Sequence, residues 1–259
     1  MQLADERRRL ILEALDSEGK VLAAELARRF DISEDTIRRD LRDLDLAGLL
    51  RRVHGGALAK NGRNGEPGFQ QREGHEPQRK ALLAQALRPL LRPGDTVLID
   101  AGSTNLALAR QLEDGCAAAI VTNSPQIALA IGEFRRTRVL LLGGTYSAQC
   151  GAVLGARTLA DVQALRADLC IVGLCGVAPD RLGASDGEEA VLKRAMLEGS
   201  SRRAAAVLND RLAVTAPFSL GPLSGLDHLA LEADVPANLL DRLRIDGGPE
   251  FILAAKGQP

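Results

Sequence analysis

The apolar residues before position 50 recur at the spacing of three short amphipathic helices. Their apolar sets are Leu10, Ile11, Ala14 and Leu15; Leu22, Leu26 and Phe30; and Ile37, Leu41 and Leu44. A turn at Asp31-Ile32 separates the last two helices, and Ser33 follows it as a favourable N-cap for the third. The pattern predicts a helix-turn-helix, with Lys20–Leu22 and Leu49–Val53 pairing as a small β-wing.

Short apolar strands alternate with helices in the rest of the chain. The predicted strands lie near Thr96–Asp100, Ala118–Thr122, Arg138–Leu142, Leu169–Gly173, Ala204–Leu208, His228–Leu231 and Phe251–Ala254. This alternation is typical of a mostly parallel sheet covered by helices on both faces. The run KNGRNGEPG at 60–68 has no apolar periodicity and reads as a linker. We therefore predict an α/β protein with a winged helix-turn-helix domain at 1–58, a linker at 59–74 and a Rossmann-like, mostly parallel α/β domain at 75–259.

Composition narrows the class of protein further. The chain has 259 residues, 46% of them hydrophobic and 26% charged, so we expect a globular protein. No apolar run is long enough to span a membrane, and the charged start MQLADERRRL lacks the apolar core of a secretory signal, so we expect a cytoplasmic location. The four cysteines form no C-x-x-C pair and the three histidines complete no zinc-finger spacing. Neither a metal site nor a cofactor is predicted.

Arginines are concentrated on the third predicted helix, although the formal net charge of −1 does not point to nucleic acid. At about 100° per residue, Asp35, Arg39 and Arg42 point away from the apolar stripe. Arg38 lies on the flank. The second helix of such a motif enters the major groove, so we expect Thr36 and Arg39 to reach bases. We expect Arg38 and Arg42 to hold phosphates. The alternative is an ordinary solvated helix face with Arg–Asp pairs.

A close resemblance to the DNA-binding domain of the DeoR family of regulators covers Gly19–Ala57, GKVLAAELARRFDISEDTIRRDLRDLDLAGLLRRVHGGA. The TIRRDL and RVHGGA elements are its most specific parts. The resemblance implies that Arg51, Arg52 and His54 lie in or beside the wing, near the phosphate backbone. The predicted DNA-binding residues are Ser33, Asp35, Thr36, Arg38, Arg39, Arg42, Arg51, Arg52 and His54.

Four polar or glycine-rich loops each follow a predicted strand of the second domain. They are Asp100–Asn105, Thr122–Ser124, Gly143–Thr145 and Gly173–Gly176. Ligands of open parallel sheets bind at the carboxyl ends of the strands. Ser103 and Thr104 stand at a helix start, where hydroxyl and N–H groups suit an anion. One such loop is usually only a turn, but four on one edge predict a ligand site.

The resemblance to the DeoR family continues through this domain, from about residue 3 to residue 255 in all. AGSTN, VTNSPQIA, LLGGTY and EEAVLKRAM match the family's sensor domain in type and order. That domain is related in fold to ribose-5-phosphate isomerase and usually binds phosphorylated sugars or related metabolites. The candidate effector-binding residues are Asp100, Gly102, Ser103, Thr104, Thr122, Asn123, Gly143, Gly144, Gly176, Asp186, Glu188, Lys193 and Asp210. For the charged run Glu188–Arg194 the alternative is a solvated helix with i,i+4 pairs.

One segment departs from the family pattern. Family members usually carry an Asp-x-Ser-Lys type motif after a late strand, where this chain reads LNDRLA. Asp210 keeps the Asp, while Leu212 and Ala213 replace the Ser and the Lys. Losing the ammonium removes a compact charge suited to phosphate. Either the effector is less anionic, such as a free sugar or sugar acid, or Lys193 or Arg211 supplies the charge.

We therefore expect a sequence-specific DNA-binding transcriptional regulator rather than an enzyme. By family resemblance it represses carbohydrate-metabolism genes until a small sugar-like or phosphorylated metabolite binds. Since two-fold operators usually match two-fold proteins, the second domain is expected to form a homodimer or homotetramer. One alternative is a sugar-phosphate isomerase-like enzyme with a DNA-binding appendage, for which Asp186, Glu188 and Glu189 would supply acid–base groups. Another is constitutive DNA binding, with a second domain that only oligomerises.

Overall fold

The computed structural model describes residues 4–18, 20–47, 49–53, 55–59 and 67–256. The chain divides into two units, one ending at Arg72 and the other beginning at Glu73. The elements as far as the division are α1 (Ala4–Glu18), β1 (Lys20–Leu22), α2 (Ala23–Phe30), α3 (Glu34–Leu46), β2 (Leu50–Val53), β3 (Gly56–Ala59) and α4 (Phe69–Gly74). Three helices and a three-stranded antiparallel sheet thus precede α4, which spans the division.

The predicted helix-turn-helix is confirmed in α2 and α3. Asp31 adopts a left-handed φ of 54° between the two helices, and the Ser33 hydroxyl caps α3 by accepting the N–H of Thr36 at 3.3 Å. Leu22, predicted as the first apolar residue of the second helix, ends β1 instead. The apolar faces of the three helices meet in a common core that includes Ile11, Leu15, Leu26, Ile37, Leu41 and Leu44.

The wing differs from the predicted pairing. β3 lies between β1 and β2, so the direct pairing of Lys20–Leu22 with Leu49–Val53 is wrong. Gly55, with a φ of 84°, lies between β2 and β3, and β3 runs back antiparallel to β2. A Cβ on Gly56 would lie 2.0 Å from the carbonyl oxygen of Val21. β3 therefore fits beside β1 because residue 56 has no side chain.

The second unit is built on a seven-stranded sheet. Its helices and strands are α5 (Pro77–Leu87), β4 (Thr96–Ile99), α6 (Ser103–Ala109), β5 (Ala119–Thr122), α7 (Pro125–Ala130), β6 (Arg138–Leu141), β7 (Thr145–Ser147), β8 (Ala152–Leu154), α8 (Ala156–Gln163), β9 (Ala167–Val172), β10 (Gly176–Ala178), β11 (Arg181–Ala184), α9 (Gly187–Glu198), β12 (Ser200–Ala206), β13 (Phe218–Gly221), β14 (His228–Leu231), α10 (Ala237–Leu243) and β15 (Glu250–Leu253). The sheet order is β15-β14-β12-β9-β4-β5-β6, and all neighbours run parallel.

All seven predicted strands are confirmed, and together they form this sheet. The central strands β4 and β9 are buried along most of their length, as expected when both faces of a parallel sheet are covered. A hairpin of β7 and β8 and a small antiparallel sheet of β10, β11 and β13 were not predicted. Four of these five short strands carry Gly, Ser, Thr or Arg in place of a continuous apolar run, so the sequence gives no strand signal there.

Parallel strands bring their carboxyl ends to one edge of the sheet. The loops that follow β4, β5, β6 and β9 therefore share this edge, called here the carboxyl edge. Within the described ranges, no helix is both long and apolar enough to cross a membrane. The same residues contain no group of His, Cys, Asp or Glu arranged to hold a metal ion.

Candidate DNA-binding surface and effector site

The helix α3 carries five carboxylates in thirteen residues, and all five have partners. Arg38 holds two of them, with its guanidinium 2.7 Å from Glu34 and 3.2 Å from Asp35. Asp45 accepts the backbone N–H of Arg52 at 3.4 Å. The pairs of Arg38 are the Arg–acid pairs of an ordinary solvated helix face, and exposed pairs of this kind are weak. They leave Arg38 able to change partner at little cost.

The carboxylate of Asp40 is buried and faces α1. Its Oδ2 accepts from Nε of Arg7 at 2.6 Å, and its Oδ1 accepts from Nε of Arg8 at 3.3 Å. Arg8 also donates to Asp43. Asp40 is not among the residues predicted from the sequence. Its position three residues after Ile37, on the inward face of the helix, indicates a buried carboxylate.

Two arginines of α3 remain uncommitted. Arg39 and Arg42 are exposed, and neither forms a hydrogen bond or ion pair with any residue that the structure describes. Arg52 in β2 is also exposed. Thr36 is half-buried, with its hydroxyl 2.9 Å from that of Ser33. His54 and the side chain of Arg51 lie outside the described residues, although the backbone of Arg51 belongs to β2.

A buried charge cluster lies at the carboxyl edge. Lys193 of α9 donates to Asp100 at the end of β4 and, at 2.7 Å, to the carbonyl of Gly173 after β9. Its ammonium is also 3.2 Å from Glu189. Burial alone would lower the pKa of Lys193, but the two carboxylates outweigh it and raise that pKa. The solvated-helix alternative is therefore wrong for Lys193 and Glu189, although it fits the exposed Glu188.

Two polar atoms beside this cluster are buried without a partner among the described residues. They are Oδ1 of Asp100 and Nδ2 of Asn123. The other oxygen of Asp100 accepts the N–H of Gly173 at 2.8 Å, and Oδ1 of Asn123 accepts that of Ala101 at 2.8 Å. Buried polar atoms in folded proteins nearly always have a protein, water or ligand partner. A hydroxyl group can donate to the free oxygen of Asp100 or accept from the free amide of Asn123, so these two atoms suit a ligand with hydroxyl groups.

The remaining residues of the first two loops have different surroundings. Gly102, Ser103 and Thr104 begin α6 and are half-buried, so they face partly open space at the edge. Thr122 is fully buried, and its hydroxyl accepts the N–H of Ser124 at 3.1 Å. The hydroxyl of Thr122 therefore stabilises the loop after β5.

The glycine loop after β6 is shaped by protein packing. Gly144 has a φ of 148°, and a Cβ there would lie 2.2 Å from the hydroxyl of Thr158. Gly143 is half-buried beside the guanidinium of Arg157, which is exposed and has no polar partner in the described part of the chain. Gly176 lies in β10, paired with Gly183. Arg157 is not among the residues predicted from the sequence, and it places an exposed guanidinium beside this glycine loop.

The last two candidates, Asp186 and Asp210, are not among the buried charges. Asp186 caps α9 by accepting the N–H groups of Glu188 at 2.9 Å and Glu189 at 3.1 Å. Asp210 is exposed, and its carboxylate is 3.3 Å from Nε2 of His75. This segment is a short 3₁₀ turn rather than an extended strand.

The two residues that depart from the family motif have opposite environments. Leu212 is 5% exposed and belongs to the core of the second unit. Ala213 is exposed with a left-handed φ of 59°, and its N–H donates to Val177 at 2.8 Å. Arg211, predicted as a replacement cation, directs its guanidinium to the carbonyl of Cys175 at 3.4 Å.

Comparisons with known proteins cover both units. The profile of the DeoR-like helix-turn-helix domain matches residues 7–62, and that of the DeoR C terminal sensor domain matches residues 75–232. The chain is 29% identical over 239 residues to the glycerol-3-phosphate regulon repressor of Escherichia coli, covering 92% of this chain and 94% of that one. It is 31% identical over 234 residues to the L-fucose operon activator of Haemophilus influenzae, covering 90% and 94%.

The matches to solved structures are more distant. Ribose 5 phosphate isomerase A from Neisseria gonorrhoeae aligns with a TM-score of 0.37 at 13% identity, over 52% of each chain. The full-length sorbitol operon regulator from Klebsiella pneumoniae aligns with a TM-score of 0.32 at 13% identity, over 78% of this chain and 88% of that one.

Proposed function

This chain belongs to the DeoR family of transcriptional regulators, and from that premise we propose that it represses carbohydrate-metabolism genes until a small metabolite binds its second unit. The names of its relatives refer to glycerol 3-phosphate and L-fucose operons. Those relatives are regulators, so the isomerase-like alternative is not favoured. As a regulator that binds genomic DNA, the protein would act in the cytoplasm.

The observation that carries the DNA-binding proposal is the distribution of charge on α3. Its carboxylates are all engaged within the protein, whereas Arg39 and Arg42 are exposed and have no polar partner among the residues that the structure describes. We assign Thr36 and Arg39 to base edges and Arg42 and Arg52 to phosphates. Arg38 would reach phosphate only by leaving its two carboxylate partners, so its contribution would be smaller.

The proposed effector site is the carboxyl edge of the seven-stranded sheet. Oδ1 of Asp100 and Nδ2 of Asn123 would meet hydroxyl groups of the effector, with Ser103 and Thr104 at the more open side. Lys193 is already neutralised by two carboxylates, so it is a poor ligand for phosphate. We therefore favour a polyhydroxylated effector less anionic than a sugar phosphate, such as a free sugar or a sugar acid.

A route for the effector signal runs from this edge to the start of the second unit. Arg79 of α5 pairs with the buried carboxylate of Glu232, whose other oxygen accepts the N–H of Asn209 at 2.6 Å. His75 contacts Asp210 in the same turn. A shift of the turn after β12 would therefore move the beginning of α5, the helix that follows the proposed linker.

We propose the following division of the chain into domains. A DNA-binding domain at 1–58 would be joined by a linker at 59–74 to a sensor and oligomerisation domain at 75–259. A homodimer or homotetramer held by the second domain would present two copies of α3 to a two-fold operator.

In vitro selection from random-sequence duplex DNA tests the DNA-binding proposal with the full chain. The expected result is an enriched two-fold sequence whose half-sites lie about 10 base pairs, or a multiple of that, apart. An Arg39→Ala variant should enrich a less defined sequence. Failure of the wild-type protein to enrich any sequence would contradict the proposal.

A further inference from the structure

A partly buried ion-pair cluster joins α3 to α1, and we propose that it determines sequence preference without touching DNA. The cluster consists of Arg7, Arg8, Asp40 and Asp43, named here the α1–α3 clamp. In this proposal Asp40 is a positioning residue. The inference rests on the proposed docking of α3 in the major groove, and the experiment below separates the two.

The contacts of Asp40 restrict the rotation of α3 about its axis as well as its distance from α1. Its side chain is 3% exposed, and each of its two oxygens accepts from a different arginine of α1. A carboxylate held at both oxygens by successive residues of a second helix cannot turn without losing one of them. Ile37 and Leu41 pack in the core on the same side of α3 and hold the helix by contact area, to which the clamp adds directional hydrogen bonds.

Arg8 extends the clamp along the helix. It contacts Asp40 through Nε and Asp43, one turn further, through Nη2. Two anchor points along one face define the direction of the α3 axis relative to α1. The clamp also neutralises two carboxylates that would otherwise oppose the approach of DNA phosphates.

The position of Asp40 links the clamp to base recognition. Arg39 precedes it directly, and Arg42 follows two residues later. A rotation of α3 by about 20° would move its outer surface, about 5–6 Å from the axis, by about 2 Å. Paired hydrogen bonds to a base edge do not survive such a shift, whereas contacts between mobile arginines and phosphates do. Loosening the clamp should therefore reduce selectivity more than general affinity for DNA.

The test compares Asp40→Asn with wild type in the full chain. Dissociation constants are measured for the selected operator and for a scrambled duplex of equal length, over a series of salt concentrations. Asp40→Asn should bind the operator about tenfold more weakly, while affinity for the scrambled duplex and the salt slope stay within about twofold. Glu13→Gln is the matched control, since the pair that Glu13 of α1 forms with Arg9 is exposed and lies outside the clamp. It should leave both affinities unchanged.

Two further variants keep the proposal falsifiable if Asp40→Asn folds poorly. Asp40→Glu retains the charge and should recover part of the selectivity, and Arg8→Lys should reduce selectivity because an ammonium lacks the second donor arm. Equal losses on operator and scrambled DNA in the folded variants would mean a purely structural role and would overturn the proposal. If Arg39→Ala reduces selectivity and the clamp variants do not, only the clamp proposal fails. If Arg39→Ala also leaves selectivity unchanged, the docking of α3 itself is wrong.

Discussion

At the residue scale, helical periodicity located the arginines of α3 but could not say which of them are free. Arg38 and Arg39 are adjacent in the sequence, yet only Arg38 is held by carboxylates. Which arginine pairs depends on side-chain contacts within the folded helix and across to α1. Periodicity could not identify Asp40 as an ion-pair residue for the same reason, because its partners lie more than thirty residues away in the sequence.

The difference between Arg39 and Arg38 gives a direct prediction. Arg39→Ala should weaken operator binding by about 1–3 kcal/mol and relax base preference at one position of each half-site. Arg38→Ala should have a smaller effect that is similar for all sequences, because its guanidinium is shared with two carboxylates. Fluorescence anisotropy with the selected operator and single-base variants measures both. Wild-type affinity in a folded Arg39→Ala protein would refute the docking of α3.

Substitution of Ala213 by lysine tests the proposed class of effector. A lysine at this exposed position restores the ammonium that family members usually carry there, and it imposes no new backbone cost because alanine already adopts the left-handed φ of 59°. Ala213→Lys should therefore strengthen binding of a sugar phosphate about tenfold to hundredfold, as measured by calorimetry. Micromolar binding of a sugar phosphate by wild type, with no gain from the lysine, would contradict an effector that is less anionic than a sugar phosphate.

At the element scale, the seven strands of the parallel sheet were predictable because each contains a run of apolar residues, which in β12 is confined to its second half. The small sheet of β10, β11 and β13 was not, since its strands are short and rich in glycine. The order of the wing strands depends on the turn at Gly55 and on the close approach of Gly56 to the backbone of Val21. The spacing of apolar residues does not predict either feature. The loops of the candidate site could be located from sequence, but the buried pairing of Lys193 with Asp100 needed the fold.

Lys193 joins α9 to the ends of β4 and β9, so its loss should destabilise the second unit. Lys193→Met leaves the carboxylates of Asp100 and Glu189 buried without their cation, which typically costs about 3–5 kcal/mol in the free energy of unfolding. Chemical denaturation followed by circular dichroism measures this loss. Lys256→Met, at an exposed position, is the control. A Lys193→Met protein within about 1 kcal/mol of wild type would contradict the role of the cluster.

The raised pKa of Lys193 also predicts the pH dependence of unfolding. The native protein keeps a proton that the unfolded chain loses above about pH 10.4, so the stabilisation is complete below that pH and declines as the pH rises further. Lys193→Met should lack this part of the alkaline decline. An equal decline in wild type and variant would show that Lys193 does not contribute to it.

At the scale of the whole molecule, assembly is expected to reside in the second unit. A fragment beginning at His75 keeps the seven-stranded sheet and its own core, so it should remain a dimer or tetramer by light scattering. The first unit has a much smaller core from which to hold a stable dimer. A monomeric fragment, alongside an oligomeric full-length chain, would place the interface elsewhere.

The central claim is that a metabolite at the carboxyl edge releases the operator through Glu232 and α5. The most direct measurement is the operator dissociation constant of the full chain with and without free sugars, sugar acids, sugar phosphates and glycerol 3-phosphate. Wild type should bind at least about tenfold more weakly with one of these compounds, a coupling of about 1.4 kcal/mol. Glu232→Gln should reduce that ratio, whereas Glu250→Gln, at an exposed carboxylate paired with His228, should not. A wild-type affinity that stays constant across all compounds, or a ratio unchanged in Glu232→Gln, would contradict the account.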